Sequence, residues 1–375
     1  MPMKVLTIVG TRPEIIKLSR VIAELDRRTR HVLAHTGQNY DYELNQVFFE
    51  QLGIRKPDHF LECAAGSVAE TIGHVIARAD RVMAKEKPDA LLVLGDTNSC
   101  LAVIPAKRRR IPVFHMEAGN RCFDERVPEE INRRIVDHTS DINLTYTEHA
   151  RRYLLAEGLR PETVIKTGSP MYEVLRHYGA RIRRSRILQT LGLTRGRYFV
   201  VSAHREDNVD DPRRLRHLLD ALDAVAKRYG HRIVFSTHPR TRDRLTRAGR
   251  LRRSGRIEFV KALGFLDYVK LQMNAFCVLS DSGTLTEESS ILGFPAVMIR
   301  QAHERPEGMD EAAVIMADFQ ASRILDAVDL AVAQTRGRKW PLRTVPDYLA
   351  DNVSLKVARI LLSYTDYVNR TVWRR

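Results

Sequence analysis

Short apolar runs rich in β-branched residues alternate with amphipathic stretches along the whole chain. In the first half the runs Lys4–Val9, His31–His35, Ala90–Leu94, Pro112–Met116, Ile142–Thr145 and Thr163–Thr167 read as strands. Between them, Pro13–Leu25, Val68–Lys85, Glu129–Val136 and Glu148–Glu157 space their apolar residues as helices do. The second half repeats the pattern: Tyr198–Ser202, Arg232–Ser236, Arg256–Val260, Phe276–Leu279 and Pro295–Met298 as strands, with Pro212–Arg228, Phe265–Met273 and Thr284–Leu292 as helices. Strand–helix alternation predicts parallel sheets covered by helices on both faces, and two such sets predict two doubly wound α/β domains. The expected boundaries are residues 1–176 and 187–350, joined by the basic stretch Arg176–Arg186, which has no strand character. The last segment, residues 351–375, carries a long helical pattern, Val353–Val372, that can pack back on the first domain.

The 375-residue length agrees with two domains. A content of 44% hydrophobic and 29% charged residues is that of a globular protein, and no apolar run approaches the ~18 residues that span a bilayer. The apolar run Val5–Val9 reads as a first strand, being too short for a signal-peptide core. Cys63, Cys100, Cys122 and Cys277 lie far apart without a CxxC pair, which predicts reduced thiols in a cytoplasmic protein. The formal charge of +15 raises nucleic-acid binding as a reading. Yet the basic clusters at Arg108–Arg110, Arg181–Arg186, Arg213–Arg216 and Arg240–Arg253 sit on different elements without interleaved aromatics, so a small anionic ligand fits better.

The strand ends carry the candidate chemistry, because ligands bind at the carboxyl ends of strands in open parallel sheets. Gly10-Thr11-Arg12-Pro13-Glu14 makes a tight strand-to-helix turn whose free N–H groups, with Arg12 and Lys17, suit an anion. Leu279 to Glu288 again ends a strand in a Ser/Gly/Thr turn, where Ser282 and Thr284 can donate to phosphate, Gly283 admits a close approach and Glu288 can accept from ribose hydroxyls. His115 to Arg134 crowds Glu117, Asp124, Glu125, Glu129 and Glu130 with Arg121, Arg126, Arg133 and Arg134. A salt-bridged loop leading into a surface helix satisfies that composition, and so does a proton-transfer site. Gly95-Asp96-Thr97-Asn98, Ser202 to Glu206, Thr237 to Arg240 and His303 to Glu307 complete the set. There is no GxGxxG, no Walker loop, no nucleophile elbow, no HExxH and no His/Cys cluster with metal-ligand spacing, so no cofactor or metal is expected.

Together, GTRPEIIK, HTGQNYD, GDTNS, EAGNR, PEEINRR, HRED, DSGTLTEE and ERPE resemble the non-hydrolysing UDP-N-acetylglucosamine 2-epimerases, in order from Lys4 to Glu311. The resemblance implies a GT-B-like pair of Rossmann-like domains facing a cleft, UDP held mainly by the second domain, and a homodimer. It implies Asp96, Glu117 and Glu129 as acid/base carboxylates and Arg12, Lys17, His204 and Arg205 as diphosphate-facing groups, His204 counting also among the catalytic residues. Ser282, Gly283, Thr284 and Glu288 look like phosphate and ribose contacts, Arg305 like a further charge in the cleft, and Tyr268 like a side chain against the uracil.

The chemistry agrees with such a site. C2 of an N-acetylamino sugar has no adjacent carbonyl, and with no nicotinamide site the available route is expulsion of UDP from C1. Within the resemblance, the loop Asn120 to Val127 and the segments that follow it are similar to a narrower branch acting on UDP-2-acetamido-2,6-dideoxy-L-hexoses for capsule or O-antigen synthesis. That branch converts UDP-N-acetyl-L-pneumosamine to UDP-N-acetyl-L-fucosamine or interconverts the L-rhamnosamine and L-quinovosamine derivatives. The alternatives are the UDP-N-acetylglucosamine/N-acetylmannosamine reaction and a GT-B glycosyltransferase with the same nucleotide grip.

Overall fold

A computed structural model describes residues 2–37, 42–249, 255–335 and 340–375. Gln38 to Asp41 of the HTGQNYD segment and Arg250 to Arg253 of the last basic cluster lie outside them, as do the side chains of Glu206 and Asp207 in HRED. The chain forms two compact units, one of Met1–His177 with Pro346–Arg375, the other of Tyr178–Val345.

The first unit holds a seven-stranded sheet of β1 (Lys4–Val9), β2 (Arg30–His35), β3 (His59–Phe60), β4 (Ala90–Leu94), β5 (Val113–Ala118), β6 (Ile142–Thr145) and β7 (Val164–Lys166). Its order is β3-β2-β1-β4-β5-β6-β7 and every pair is parallel. β4 is buried at each of its positions, because helices cover both faces of a parallel sheet and remove any reason for a polar alternate residue. One face packs Leu6, Ile8, Leu91, Val93 and Val113 against Val75, Ala79 and Val82 of the Val68–Glu86 helix.

The second unit repeats the plan with six parallel strands, β8 (Tyr198–Ser202), β9 (Arg232–Thr237), β10 (Ile257–Lys261), β11 (Cys277–Ser280), β12 (Ala296–Ile299) and β13 (Ile315–Ala317), in the order β10-β9-β8-β11-β12-β13. In each sheet the winding direction reverses once, between β1 and β4 and between β8 and β11. At such a reversal the connections leave in opposite directions and open a crevice at the strand ends.

Several elements go beyond the sequence pattern, among them two short strands and two helices. β3 has two residues and β13 three, too few to show a period. The helix Tyr42–Leu52 follows the HTGQNYD segment. The helix Met171–Arg184 occupies most of the stretch expected to be a connector, and the passage between units falls within it. Its buried Val174, Leu175, Tyr178 and Ile182 follow helical spacing, but the arginines on its other face mask the pattern.

The final helix, Val353–Thr371, packs on the Arg12–Arg28 helix within the first unit. Its start is fixed where Ser354 N donates to Glu173 at 2.9 Å. Val357 and Leu361 are fully buried on its inner face. Leu361→Ala is expected to destabilise the protein by ~2–5 kcal/mol, read by denaturant unfolding; a change under about 0.5 kcal/mol would show that the helix contributes little to the fold.

Candidate active site

The first unit gathers its candidate residues at the β1/β4 reversal. β1 ends at Val9, and Pro13, whose missing N–H costs nothing there, opens the Arg12–Arg28 helix. The Glu14 carboxylate turns back to accept from the backbone N–H of Gly10 and of Thr11, the latter at 2.8 Å, and takes the Thr97 hydroxyl from the neighbouring β4 turn. Glu14 is 2% exposed. Burial pushes its pKa up to about 7, although all three donors pull the other way. The guanidinium of Arg12 lies 5.8 Å from the centre of the Phe48 ring.

Lys17 comes one turn later and is buried. Its ammonium donates to both oxygens of Glu117 at 2.8 and 2.7 Å, with the Tyr146 ring 5.5 Å away. Glu117 sits in left-handed backbone at φ 64°, where β5 shifts register against β6 between Met116 and Ala118. A side chain of this kind in that conformation costs ~1–3 kcal/mol and persists only where its surroundings impose it. A Cβ on Gly95 would lie 3.9 Å from Glu117 Oε2, so Glu117 stands beside the turn that carries Asp96.

Asp96 is half-buried and receives Arg133 through Nε at 3.0 Å and Nη2 at 2.8 Å, while Asn132 donates to its backbone carbonyl at 3.0 Å. The same Arg133 holds Glu130 through Nη1 at 2.8 Å. Glu130 is fully buried and also accepts from the backbone N–H of Cys122 at 3.1 Å and Phe123 at 3.3 Å. Burial works to raise its pKa, but the Cys122 N–H and the Arg133 charge hold it below the usual range. Adjacent Glu129, half-buried in the first turn of the Pro128–Thr139 helix, has no hydrogen bond or ion pair from its side chain among the described residues. Of the two glutamates in PEE, Glu130 anchors a loop and Glu129 is available. The remaining charges of the segment sort themselves: Arg126 holds Asp124, Arg134 meets Glu125, and Arg121 lies buried on Asp137 and Glu157.

The second unit gathers its residues at the β8/β11 reversal around Asp281, a residue that carries no role in the sequence reading. Asp281 is fully buried and accepts from the backbone N–H of His204 and Arg205, each at 3.0 Å, and from Asn208 Nδ2 at 2.9 Å, with His204 Nδ1 3.1 Å away. Burial opposes its ionisation, but the His204 charge and hydrogen bond and these donors overcome it and hold its pKa well below the carboxylate range. Asp281 thereby fixes the His204–Arg205 turn against the Ser282–Thr284 turn. The Arg205 guanidinium donates to the Asp281 carbonyl at 3.1 Å and to Glu304 at 3.2 Å.

The Thr284–Leu292 helix starts from Gly283, not from a side-chain cap, and the hydroxyls of Ser282 and Thr284 lie 3.0 Å apart. A Cβ on Gly283 would come 2.4 Å from Glu304 Oε1, so a larger residue there would have to displace the Glu304 carboxylate. Glu288 is 7% exposed and accepts from Gln272 Nε2 at 2.6 Å. Tyr268, one turn before Gln272, hydrogen-bonds with the hydroxyls of Ser202 and Ser280; burial first, then the Glu288 charge, raise its pKa. Arg305 is 2% exposed, its Nη2 3.3 Å from the buried Glu287. Chemically, this turn offers a helix N-terminus, two hydroxyls, an imidazole and a guanidinium, a set that suits a phosphate group. Among the described residues no group of His, Cys, Asp and Glu has the arrangement to hold a metal ion, and no helix is long and apolar enough to cross a membrane.

The family model for UDP-N-acetylglucosamine 2-epimerase matches residues 23–362. The chain is similar to the structure of UDP-N-acetylglucosamine 2-epimerase from Rickettsia bellii, with 56% identity, a TM-score of 0.92 and 100% of each chain covered. It is similar to the Methanocaldococcus jannaschii UDP-GlcNAc 2-epimerase in complex with UDP-GlcNAc and UDP, with 31% identity, a TM-score of 0.90, and 96% of this chain and 99% of that one covered. It is also 33% identical over 339 residues to the UDP-2,3-diacetamido-2,3-dideoxy-D-glucuronate 2-epimerase of Pseudomonas aeruginosa, covering 89% of this chain and 93% of that one.

The raised pKa of Glu14 gives a pH test. Its protonated form contributes stability that is fully present below about 4.5 and is lost as pH rises through about 7. The wild type is therefore expected to lose on the order of 3 kcal/mol relative to Glu14→Gln between pH 4.5 and pH 8, measured by denaturant unfolding. A gap between the two proteins that does not change with pH would mean that Glu14 ionises normally.

Proposed function

This chain belongs to the UDP-N-acetylglucosamine 2-epimerase family of isomerases, and we propose that it inverts C2 of a UDP-2-acetamido-2,6-dideoxy-L-hexose by expelling and re-adding UDP. UDP-sugar 2-epimerisation is the activity of the family; the L-configured 6-deoxy sugar is the finer reading. The observation that carries the chemistry is the set of carboxylates at the β1/β4 reversal: Glu117 in imposed left-handed backbone on Lys17, Asp96 on Arg133, and an available Glu129.

In the first half-reaction a carboxylate takes the C2 proton. The C–H electrons form a C1=C2 double bond as the C1–O bond breaks, and that electron pair leaves with UDP. The product is a 2-acetamidoglycal. In the second half a carboxylic acid on the other face protonates C2, and a UDP oxygen attacks C1. Two faces need two proton-transfer groups, which Glu117 and Glu129 with Asp96 supply, at ~10²–10⁴-fold in rate for each well-placed group. A simple glycosyl transfer needs at most one base. The leaving diphosphate gathers negative charge, and His204, Arg205, Ser282, Thr284 and the backbone at Gly283 are disposed to receive it. Glu288, steadied by Gln272, suits the ribose hydroxyls, Tyr268 the uracil, and Arg12 and Arg305 add positive charge. No redox cofactor enters this route.

The loop Asn120 to Val127 supports the L-sugar reading. It lies between Glu117 and Glu129 in the sequence and carries the resemblance to the L-sugar branch. The 56% identity to the Rickettsia bellii protein favours UDP-N-acetylglucosamine as the second reading. With the first reading come a homodimer, a cytoplasmic location and a role in capsule or O-antigen synthesis.

Each sugar, incubated in D₂O with the protein, distinguishes the readings by deuterium at C2 and by release of a glycal with UDP. Exchange in the L-sugar is expected; exchange in UDP-N-acetylglucosamine alone overturns the sugar assignment, and none in either overturns epimerisation. Glu117→Gln and Glu129→Gln are expected to keep UDP affinity, measured by calorimetry, and to lose turnover by ~10²–10⁴-fold. Loss of UDP affinity in these variants would assign both residues to the scaffold.

A further inference from the structure

We infer that Asp137, acting with His115, is the positioning residue that sets the three acid/base carboxylates relative to one another. The inference rests on the epimerase reading above and adds to it two residues that have no role there.

Asp137 lies two turns beyond Glu129 on the same Pro128–Thr139 helix and is fully buried. Its carboxylate accepts from the backbone N–H of Gly119 at 3.2 Å on each oxygen and from Arg121 Nη1 at 2.7 Å, and His115 Nδ1 lies 2.9 Å from Oδ1. Gly119 is two residues past Glu117 and stands at φ 82°, pressed so close to the Glu148–Ala156 helix that a Cβ would be 2.4 Å from the Ala150 carbonyl oxygen. The Gly119 bond therefore fixes the far side of the turn that keeps Glu117 in left-handed backbone, while Lys17 fixes its side chain.

The fully buried His115 makes the second connection. Its Nε2 donates to the Gly95 carbonyl at 2.7 Å, immediately before Asp96. One buried carboxylate thus reaches the Glu117 turn through Gly119, packs at 2.9 Å against the His115 ring that holds the Asp96 turn, outside hydrogen-bond geometry, and shares a rigid helix with Glu129. Arg121 balances Asp137 and continues to Glu157, whose other partner is His138. Asp137, His115 and Arg121 are themselves buried, which makes preorganisation their contribution, and a displacement of ~1 Å at a reacting group costs ~10²-fold in rate. Uridine recognition belongs to other residues and is expected to be indifferent.

Asp137→Asn and His115→Gln test this with the UDP-2-acetamido-2,6-dideoxy-L-hexose that the wild type exchanges at C2. Both are expected to lower kcat by ~10²-fold, to leave UDP affinity within about twofold, and to raise the isotope effect on kcat for substrate deuterated at C2, as proton transfer becomes limiting. A folded variant with unchanged kcat and isotope effect overturns the inference. So does a parallel fall in kcat and UDP affinity, or failure of both variants to fold where Glu117→Gln folds, since the network would then be scaffold alone. Should only one fold, it decides. If the wild type exchanges no sugar, the epimerase reading fails first, and the two failures are told apart by that control.

Discussion

An ionised carboxylate taken out of water costs several kcal/mol unless a cation or several donors replace its hydration. That constraint organises both candidate sites, because the open ends of the two sheets are lined with acids. Glu130 is met by Arg133, Asp137 by Arg121 and His115, Asp281 by His204 and backbone N–H groups, and Glu304 by Arg300 and Arg205. Glu130 and Asp281 are held ionised, and each of the four anchors neighbouring residues through these contacts. Two carboxylates depart from the pattern. Glu14 has only neutral donors and answers burial by binding a proton near neutral pH. Glu129 stays half-exposed with no partner among the described residues. Full compensation marks the anchors, and Glu14 and Glu129 lack it.

Glu117 combines both behaviours. Its pairing with Lys17 favours the carboxylate, while the left-handed backbone fixes where that carboxylate points. The strain is borne by the neighbouring hydrogen bonds, so the geometry is set before any substrate arrives. Preorganisation of this kind acts on the barrier instead of on ground-state affinity.

The sequence makes the scaffold legible where burial is two-sided. β1, β4, β5, β8 and β11 are apolar runs because both faces are covered, and the turns after them announce themselves through Gly10, Gly95 and Gly283. β3 and β13 are too short to carry a period, and the Met171–Arg184 helix hides behind its arginines. Within the sites, the residue types are readable but their pairings are not. Glu129 and Glu130 are equivalent as sequence, both being acids in the first turn of a helix; only the direction of each side chain separates anchor from candidate acid. Lys17 near a helix start reads as a phosphate ligand until Glu117, a hundred positions away, is seen beneath it. Asp281 and Asp137 escape attention because a lone aspartate after a strand or within a helix has no distinguishing spacing, and their weight comes from the donors that the fold brings to them.

The same distinction bears on how one scaffold serves different sugars. The backbone of the loop from Asn120 to Val127 is tied down at Cys122 and Phe123 by Glu130, and at its base by buried Arg121. Its outer side chains lie towards the surface: Phe123 is 64% exposed, edge-to-face with Tyr153, and Arg126 pairs with Asp124. Changes at those outer positions alter the surface offered to a sugar without loosening any anchor. A change at Glu130 would release the loop and disturb Arg133 on Asp96 together. Under the proposed reading, substrate preference and proton transfer are separable at the level of side chains although they share a helix and a loop, and the proposed specificity for a 6-deoxy sugar requires no alteration of the proposed acid/base groups.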